Sequence, residues 1–140
     1  MPASELQLKD IISISGKPGL YKLINAAKMP FTAMDVESGK KIPVFAKDKV
    51  TFLRDISMYS EHGDAPLAIV LQNLHEAFGD TIPEADEVMR SHDALRGFMS
   101  VALPDYDEER VHDSDIKKLA KWYILLRKAG MVLFVEDEEN

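Results

Sequence analysis

Phe31-Thr32-Ala33-Met34-Asp35-Val36 is followed by Glu37-Ser38-Gly39-Lys40 and then by Ile42-Pro43-Val44-Phe45. The outer runs are rich in β-branched and aromatic residues. The run between them is made of turn formers, so the whole reads as two strands joined by a tight hairpin turn. Pro43 has no amide hydrogen to give to a ladder, which places the returning strand at an edge or a bulge.

Upstream of this hairpin, Leu20-Tyr21-Lys22-Leu23-Ile24 is a further β-prone run. Gly16-Lys17-Pro18-Gly19 before it suits only a turn. Ser4-Glu5-Leu6-Gln7 fits a capping box, and Leu8, Ile11 and Ile12 then predict a short helix. Downstream, Val50, Leu53 and Ile56 have near-helical spacing and predict a single turn over residues 49–54. Ile56-Ser57-Met58-Tyr59 alternates like a last strand. The expectation for residues 1–62 is a small SH3-like or Tudor-like β-barrel module.

The chain then changes character. Glu61-His62-Gly63-Asp64 is the expected boundary, with Asp64 capping a helix and Pro66 in its first turn. Leu67, Val70, Leu71, Leu74 and Phe78 form one apolar face, closed by Gly79. Residues 80–90 read as a linker with a loose helical turn. Ser91 caps a second helix carrying Leu95, Phe98, Met99 and Ala102. Gly97 within it suggests a close packing contact, and Pro104 ends it. Asp113 or Ser114 caps a third helix running to about Ala129, with Gly130 after it. Met131-Val132-Leu133-Phe134-Val135 is expected as a short docking strand. The reading is therefore α+β: the β-barrel-like module over 1–62, a bundle of about three helices over 63–135, and an acidic tail over 136–140.

Charge divides in the same place. The first 60 of the 140 residues carry nine Lys/Arg against six Asp/Glu; the remainder carry eight against eighteen, which gives the net charge of −7. Hydrophobic content of 46% and charged content of 29% are those of a globular chain. With no cysteine, disulfides, thiolate nucleophiles and cysteine-based zinc sites are excluded. No apolar run is long enough for a membrane helix, and the polar N-terminus lacks the apolar core of a secretory signal, so the cytoplasm is the expected location.

No stretch carries a catalytic or cofactor motif. Asp105, Asp107 and Glu109 alternate as in a calcium loop, but Arg110 stands where the turn needs glycine and Ile116 where a bidentate glutamate is needed. The four histidines, His62, His75, His92 and His112, form no metal-binding spacing. Gly16-Lys17-Pro18-Gly19 lacks the rest of a phosphate loop, and no Gly-x-Ser-x-Gly elbow is present. No catalytic residue, cofactor or metal is expected.

Two surfaces are candidates for binding. On the last helix Leu119, Ala120, Trp122, Tyr123, Ile124 and Leu126 cover a wide apolar arc opposite Lys117, Lys118, Lys121 and Lys128. Trp122, Tyr123 and Ile124 are the expected anchors of a partner or oligomer surface. In the first half Lys17, Lys22, Lys40, Lys41, Lys47 and Lys49 are interleaved with Tyr21, Phe31 and Phe45, the composition of a nucleic-acid patch. The leading expectation is a non-catalytic protein-binding or scaffolding factor, acting on a protein partner or on a second copy. The alternative is an RNA- or DNA-binding accessory factor using the basic module.

Ile12-Ser13-Ile14-Ser15-Gly16-Lys17-Pro18-Gly19-Leu20-Tyr21-Lys22-Leu23 and Ala46-Lys47-Asp48-Lys49-Val50 are family-like in wording. So are Leu103-Pro104-Asp105-Tyr106-Asp107, Arg110-Val111, Ser114-Asp115-Ile116-Lys117-Lys118 and Trp122-Tyr123. With these stretches the chain resembles a domain-of-unknown-function family of small two-part proteins from Bacteroidota bacteria. The resemblance implies no activity, substrate or catalytic residue.

Overall fold

The computed structural model describes residues 6–135. The capping residue expected at Ser4 and the acidic tail over 136–140 lie outside them. The fold is α+β. Strands β1 (Ile11–Ile14), β2 (Tyr21–Asn25), β3 (Phe31–Asp35), β4 (Lys41–Val44) and β5 (Val50–Phe52) form one antiparallel sheet in the order β4-β3-β2-β1-β5. Strands β6 (Ser57–Ser60) and β7 (Gly63–Pro66) form a separate hairpin. Helices α1 (Leu67–Phe78), α2 (Ala85–Val88), α3 (His92–Ala102) and α4 (Asp113–Lys128) follow. No helix among the described residues is long and apolar enough to cross a membrane.

The central hairpin forms as expected. Asp35 Oδ1 accepts from the amides of Glu37 and Ser38, and Gly39 takes a φ of 81°. Only glycine adopts that value without strain. Pro43 sits opposite Thr32 on an edge strand, where its missing amide hydrogen costs no ladder bond.

Two elements of the first half differ from the expectation. The helix expected from Leu8 to Ile12 is a 3-10 turn, Leu8–Asp10, that runs straight into β1. β1 lies between β2 and β5, so Ile11 and Ile12 are both fully buried, on opposite faces of the sheet. β-branched residues flanked by pairing partners on both sides favour a strand over an isolated turn of helix. Likewise the helical turn expected over residues 49–54 is strand β5 followed by the 3-10 turn Leu53–Asp55, because Val50, Thr51 and Phe52 pair with Ile14, Ser13 and Ile12.

The expected boundary is also built differently. Residues 57–60 do not complete the sheet. They pair with β7, so Glu61 and His62 form a hairpin tip instead of a linker. Asp64 is a strand residue opposite Tyr59, and Pro66 is the N-cap of α1. At the far end, residues 131–135 form no strand, yet Met131 and Phe134 are buried and the Phe134 amide donates to Gln72 Oε1 at 2.8 Å.

The helices follow their sequence signals. Leu67, Val70, Leu71 and Leu74 are the buried stripe of α1. Ser91 Oγ accepts from the Ala94 amide at 3.0 Å and starts α3. α4 begins one residue earlier than expected, with His112 as N-cap; Asp115 Oδ2 accepts from the His112 amide and completes a capping box. Among the described residues no atom lies within 4 Å of where a Cβ at Gly97 would stand, so the close contact expected there is absent from them.

The core explains why the halves belong together. One cluster joins Leu8, Ile11, Leu20 and Leu53 of the first half to the buried faces of α1, α3 and α4. Its centre is Tyr123, fully buried, with the Phe134 ring at 6.1 Å and the Phe78 ring at 6.3 Å. A second, smaller cluster of Ile12, Ile14, Tyr21, Ala33 and Val44 lies on the other face of the sheet. A half of this size holds only a marginal core by itself, and sharing the larger cluster offsets that deficit.

Candidate functional site

The free surface of α4 decides which of its apolar residues can meet a partner. Tyr123 and Ile124 point into the protein's own core and are buried. Their expected role as surface anchors therefore passes to Trp122, which is partly exposed beside the main core. Trp122 lines a groove of about 210 Å³ between α4 and the strand β6. Ile56, Met58, Leu67, Val111, Leu119 and Trp122 give it an apolar floor, and Asp115 and Lys118 stand on the same wall of α4. Asp115, Lys118 and Trp122 are spaced three and four residues apart, the spacing of one helix face, so Lys118 stands beside Trp122 and not on the opposite side as expected.

The second wall is the outer edge of β6. Ile56 O accepts from the Leu67 amide, so the register turns the Ile56 carbonyl and the backbone groups of residues 58 and 60 toward β7 and those of residues 57, 59 and 61 away from it. The protein's own loop after α3 covers part of this outer edge. Asp107 N donates to Tyr59 O at 3.0 Å, and Glu61 N donates to Asp105 O at 2.8 Å. The loop then leaves: Asp107 O accepts from Val111 N at 2.9 Å, and Asp107 Oδ1 accepts from the amides of Glu109 and Arg110. Beyond that point the edge at Ser57 opens into the groove. Asp105 and Asp107, weighed above as calcium ligands, thus hold a hairpin tip and cap a turn. His62 Nδ1 lies 2.6 Å from Asp105 Oδ2, and this hydrogen bond, followed by the charge of Asp105, raises the His62 pKa above its ordinary 6.5.

A polar cluster lies elsewhere, where α3 meets the start of α4. Arg96 Nε donates to Asp113 Oδ1 at 3.1 Å and Arg96 Nη1 donates to Glu108 O at 3.2 Å, with the guanidinium 5.8 Å from the Tyr106 ring centre. His92 Nδ1 lies 2.8 Å from Asp113 Oδ2. The hydrogen bond with His92 leads the causes that hold the Asp113 carboxyl below its ordinary 3.8. Both oxygens of Asp113 are thereby engaged. Ser100 Oγ donates to Arg96 O one turn back, at 3.0 Å, and not toward His92. The cluster fastens α3 to α4; it does not align a nucleophile with a base.

The six lysines of the first half do not form one patch. Lys17 and Lys40 stand in the β1–β2 and β3–β4 turns, Lys41 opens β4 and Lys49 precedes β5. The pairings of Ile14 with Val50, Tyr21 with Asp35 and Met34 with Lys41 place these four at one end of the sheet. Lys22 lies within β2, beside Met34 on the face opposite Tyr21, and Lys47 is in the turn between β4 and β5. Asp35 and Glu37 share the end that carries the four lysines.

An antiparallel sheet, a β-hairpin and a small helical bundle on a shared core define the class. The pattern described as Domain of unknown function (DUF6852) matches residues 56–126, and the chain belongs to that family. A second pattern, Domain of unknown function (DUF5606), matches residues 8–53. The two matches meet at the 3-10 turn after β5, upstream of the β6–β7 hairpin, so the groove lies wholly within the first of these families. The chain is similar to a Bacteroides vulgatus protein solved by solution NMR in a structural genomics programme. The two share 40% identity over 93% of this chain and 92% of that one, with a TM-score of 0.73. No curated protein matches the chain.

Proposed function

We propose that the protein is a non-catalytic binding module that docks a protein partner in the groove between β6 and α4. The observation that carries this reading is the partly exposed Trp122 beside an open strand edge. An amphipathic aromatic over an apolar floor is a common anchor of protein interfaces. The groove, at about 210 Å³, is smaller than the roughly 300–1,000 Å³ of small-molecule sites, which favours a side chain over a cofactor as occupant. In this reading the five-stranded sheet is a support with an SH3-like or Tudor-like curl. Ile12, Ile14, Tyr21, Ala33 and Val44, with Val50 packed against them, line one face of the sheet, the apolar face that such a curl would enclose.

The test is affinity capture from native cells with nuclease present. A partner held by the groove is lost with Trp122→Ala and retained with Lys40→Glu combined with Lys41→Glu. The opposite pattern rejects the groove. A second reading, nucleic-acid binding by the first half, is supported by the four lysines at one end of the sheet; its affinity would then fall steeply with salt.

A further inference from the structure

We infer that the occupant of the groove is an extended acidic segment of a partner protein. It adds to the outer edge of β6 as a further strand, places an apolar side chain against Trp122 and sets a carboxylate at Lys118. This rests on the protein-binding reading above and goes beyond it by stating how the partner is held.

Three observations converge. The first is backbone chemistry. The register of the hairpin directs the N–H and C=O of Ser57 away from β7, and no group among the described residues hydrogen-bonds to them. An edge of this kind is a template for a strand from another chain.

The second is that the chain already uses this edge in that way. Residues 105–107 run antiparallel to β6, with Tyr106 bridging Ser60. The pairing ends at Asp107, whose carbonyl accepts from Val111 N. A peptide laid antiparallel in line with that loop takes the next position, at Ser57, beside Val111 and the Arg110 guanidinium that lies over the Tyr59 ring. Side chains alternate along such a strand, so one of them faces the floor made by Met58, Leu119 and Trp122.

The third is charge. Asp115 is committed to the His112 amide, whereas Lys118 on the groove wall is exposed and in no ion pair among the described residues. Lys121, also exposed, follows three residues on along α4, outside the groove lining. The exposed ammonium of Lys118, on a wall whose carboxylate Asp115 is already engaged, selects an acidic segment over a basic one.

The experiment pans the full chain against a random dodecapeptide display library and follows the selected peptides by fluorescence. Trp122 is the only tryptophan, so its emission reports the groove alone. The expected selection carries an aliphatic residue close to Asp or Glu, and binding shifts Trp122 emission and slows exchange of the Ser57 amide. Ser57→Pro removes the outward N–H and leaves the β7 ladder intact; Ile56 already has the extended backbone that a residue before proline needs, with φ −89° and ψ 140°. It should weaken the selected peptides about tenfold, the effect of losing a hydrogen bond of the strand. Lys118→Glu should weaken them and move a new selection toward basic residues.

Binders that shift Trp122 emission, yet leave Ser57 amide exchange unchanged or tolerate Ser57→Pro, overturn strand addition while the groove stands as a docking site. Absence of binders, or binders that leave Trp122 emission unchanged, overturns both readings. Reversible self-association in sedimentation that Ser57→Pro abolishes assigns the edge to a second copy and overturns the peptide.

Discussion

Arg127 Nη2 donates to the carbonyl of Gly79 at 3.2 Å, joining positions 48 residues apart, while Nη1 donates to Met131 O at 3.0 Å. Only 7% of Arg127 is exposed, and no carboxylate pairs with it among the described residues. Its charge is met instead by carbonyls at the ends of α1 and α4, where helices carry partial negative charge. The same guanidinium lies beside Tyr123 and partly opposes the rise that burial imposes on the phenol pKa.

Arg127→Ala strands two carbonyls and removes a buried stem, a loss of about 2–4 kcal/mol. Urea unfolding should show a lower midpoint, and protease should reach residues 131–134 sooner. An unchanged midpoint would show that the clamp contributes nothing.

Leu119 and Trp122 separate core from surface on one helix. Leu119 is buried, so Leu119→Ala should cost about 2–5 kcal/mol. Trp122 keeps one side in the groove, so Trp122→Ala should melt above Leu119→Ala while losing partner binding. The reverse order of melting temperatures would make Trp122 a core residue and remove the anchor from the proposed function.

Gly97 offers a stabilising change. It lies in the middle of α3, exposed, with open space where a Cβ would stand. Gly97→Ala should raise stability by about 0.5–1 kcal/mol through backbone entropy. A lower melting temperature would reveal a contact absent from this structure.

His62 makes one part of stability depend on pH. Its folded pKa is raised, first by the hydrogen bond with Asp105, so protonation favours the folded hairpin tip. The contribution is complete below the ordinary 6.5 and is lost as pH rises through the higher folded value. Titration of the His62 ring by NMR should show that raised value, and Asp105→Asn should return it toward 6.5. A titration at the ordinary value in the unmodified chain would remove the Asp105 contact in solution.

The nucleic-acid reading has its own check. Lys40→Glu with Lys41→Glu should weaken RNA or DNA binding equally across sequences, and affinity of the unmodified chain should fall with salt. No binding at low salt removes that reading.

Much of the fold could be read along the chain because the signals are local. The apolar stripe of α1 repeats at helical spacing, Ser91 caps α3 through its own hydroxyl, and Gly39 closes its turn within four residues of Asp35. Periodicity and capping act over one or two turns of backbone, so a short window contains all that decides them. The apolar arc of α4 was visible for the same reason. Trp122 could be nominated from it, but its separation from Tyr123 and Ile124 could not.

Strands lack that locality. Ile11 and Ile12 suit a helical turn until β2 and β5 flank them, and residues 57–60 alternate like a last sheet strand until β7 claims them. The Ser57 edge exists only because residues 105–107 cover the positions after it and then turn away. Asp113 meets His92 and Arg96 only because α3 packs against α4. Composition and spacing were enough to place the helices, the turns and the charge division. Pairing partners, and with them the groove, came from contacts far apart in the chain, because a strand's hydrogen bonds are completed by whichever distant segment the shared core brings alongside.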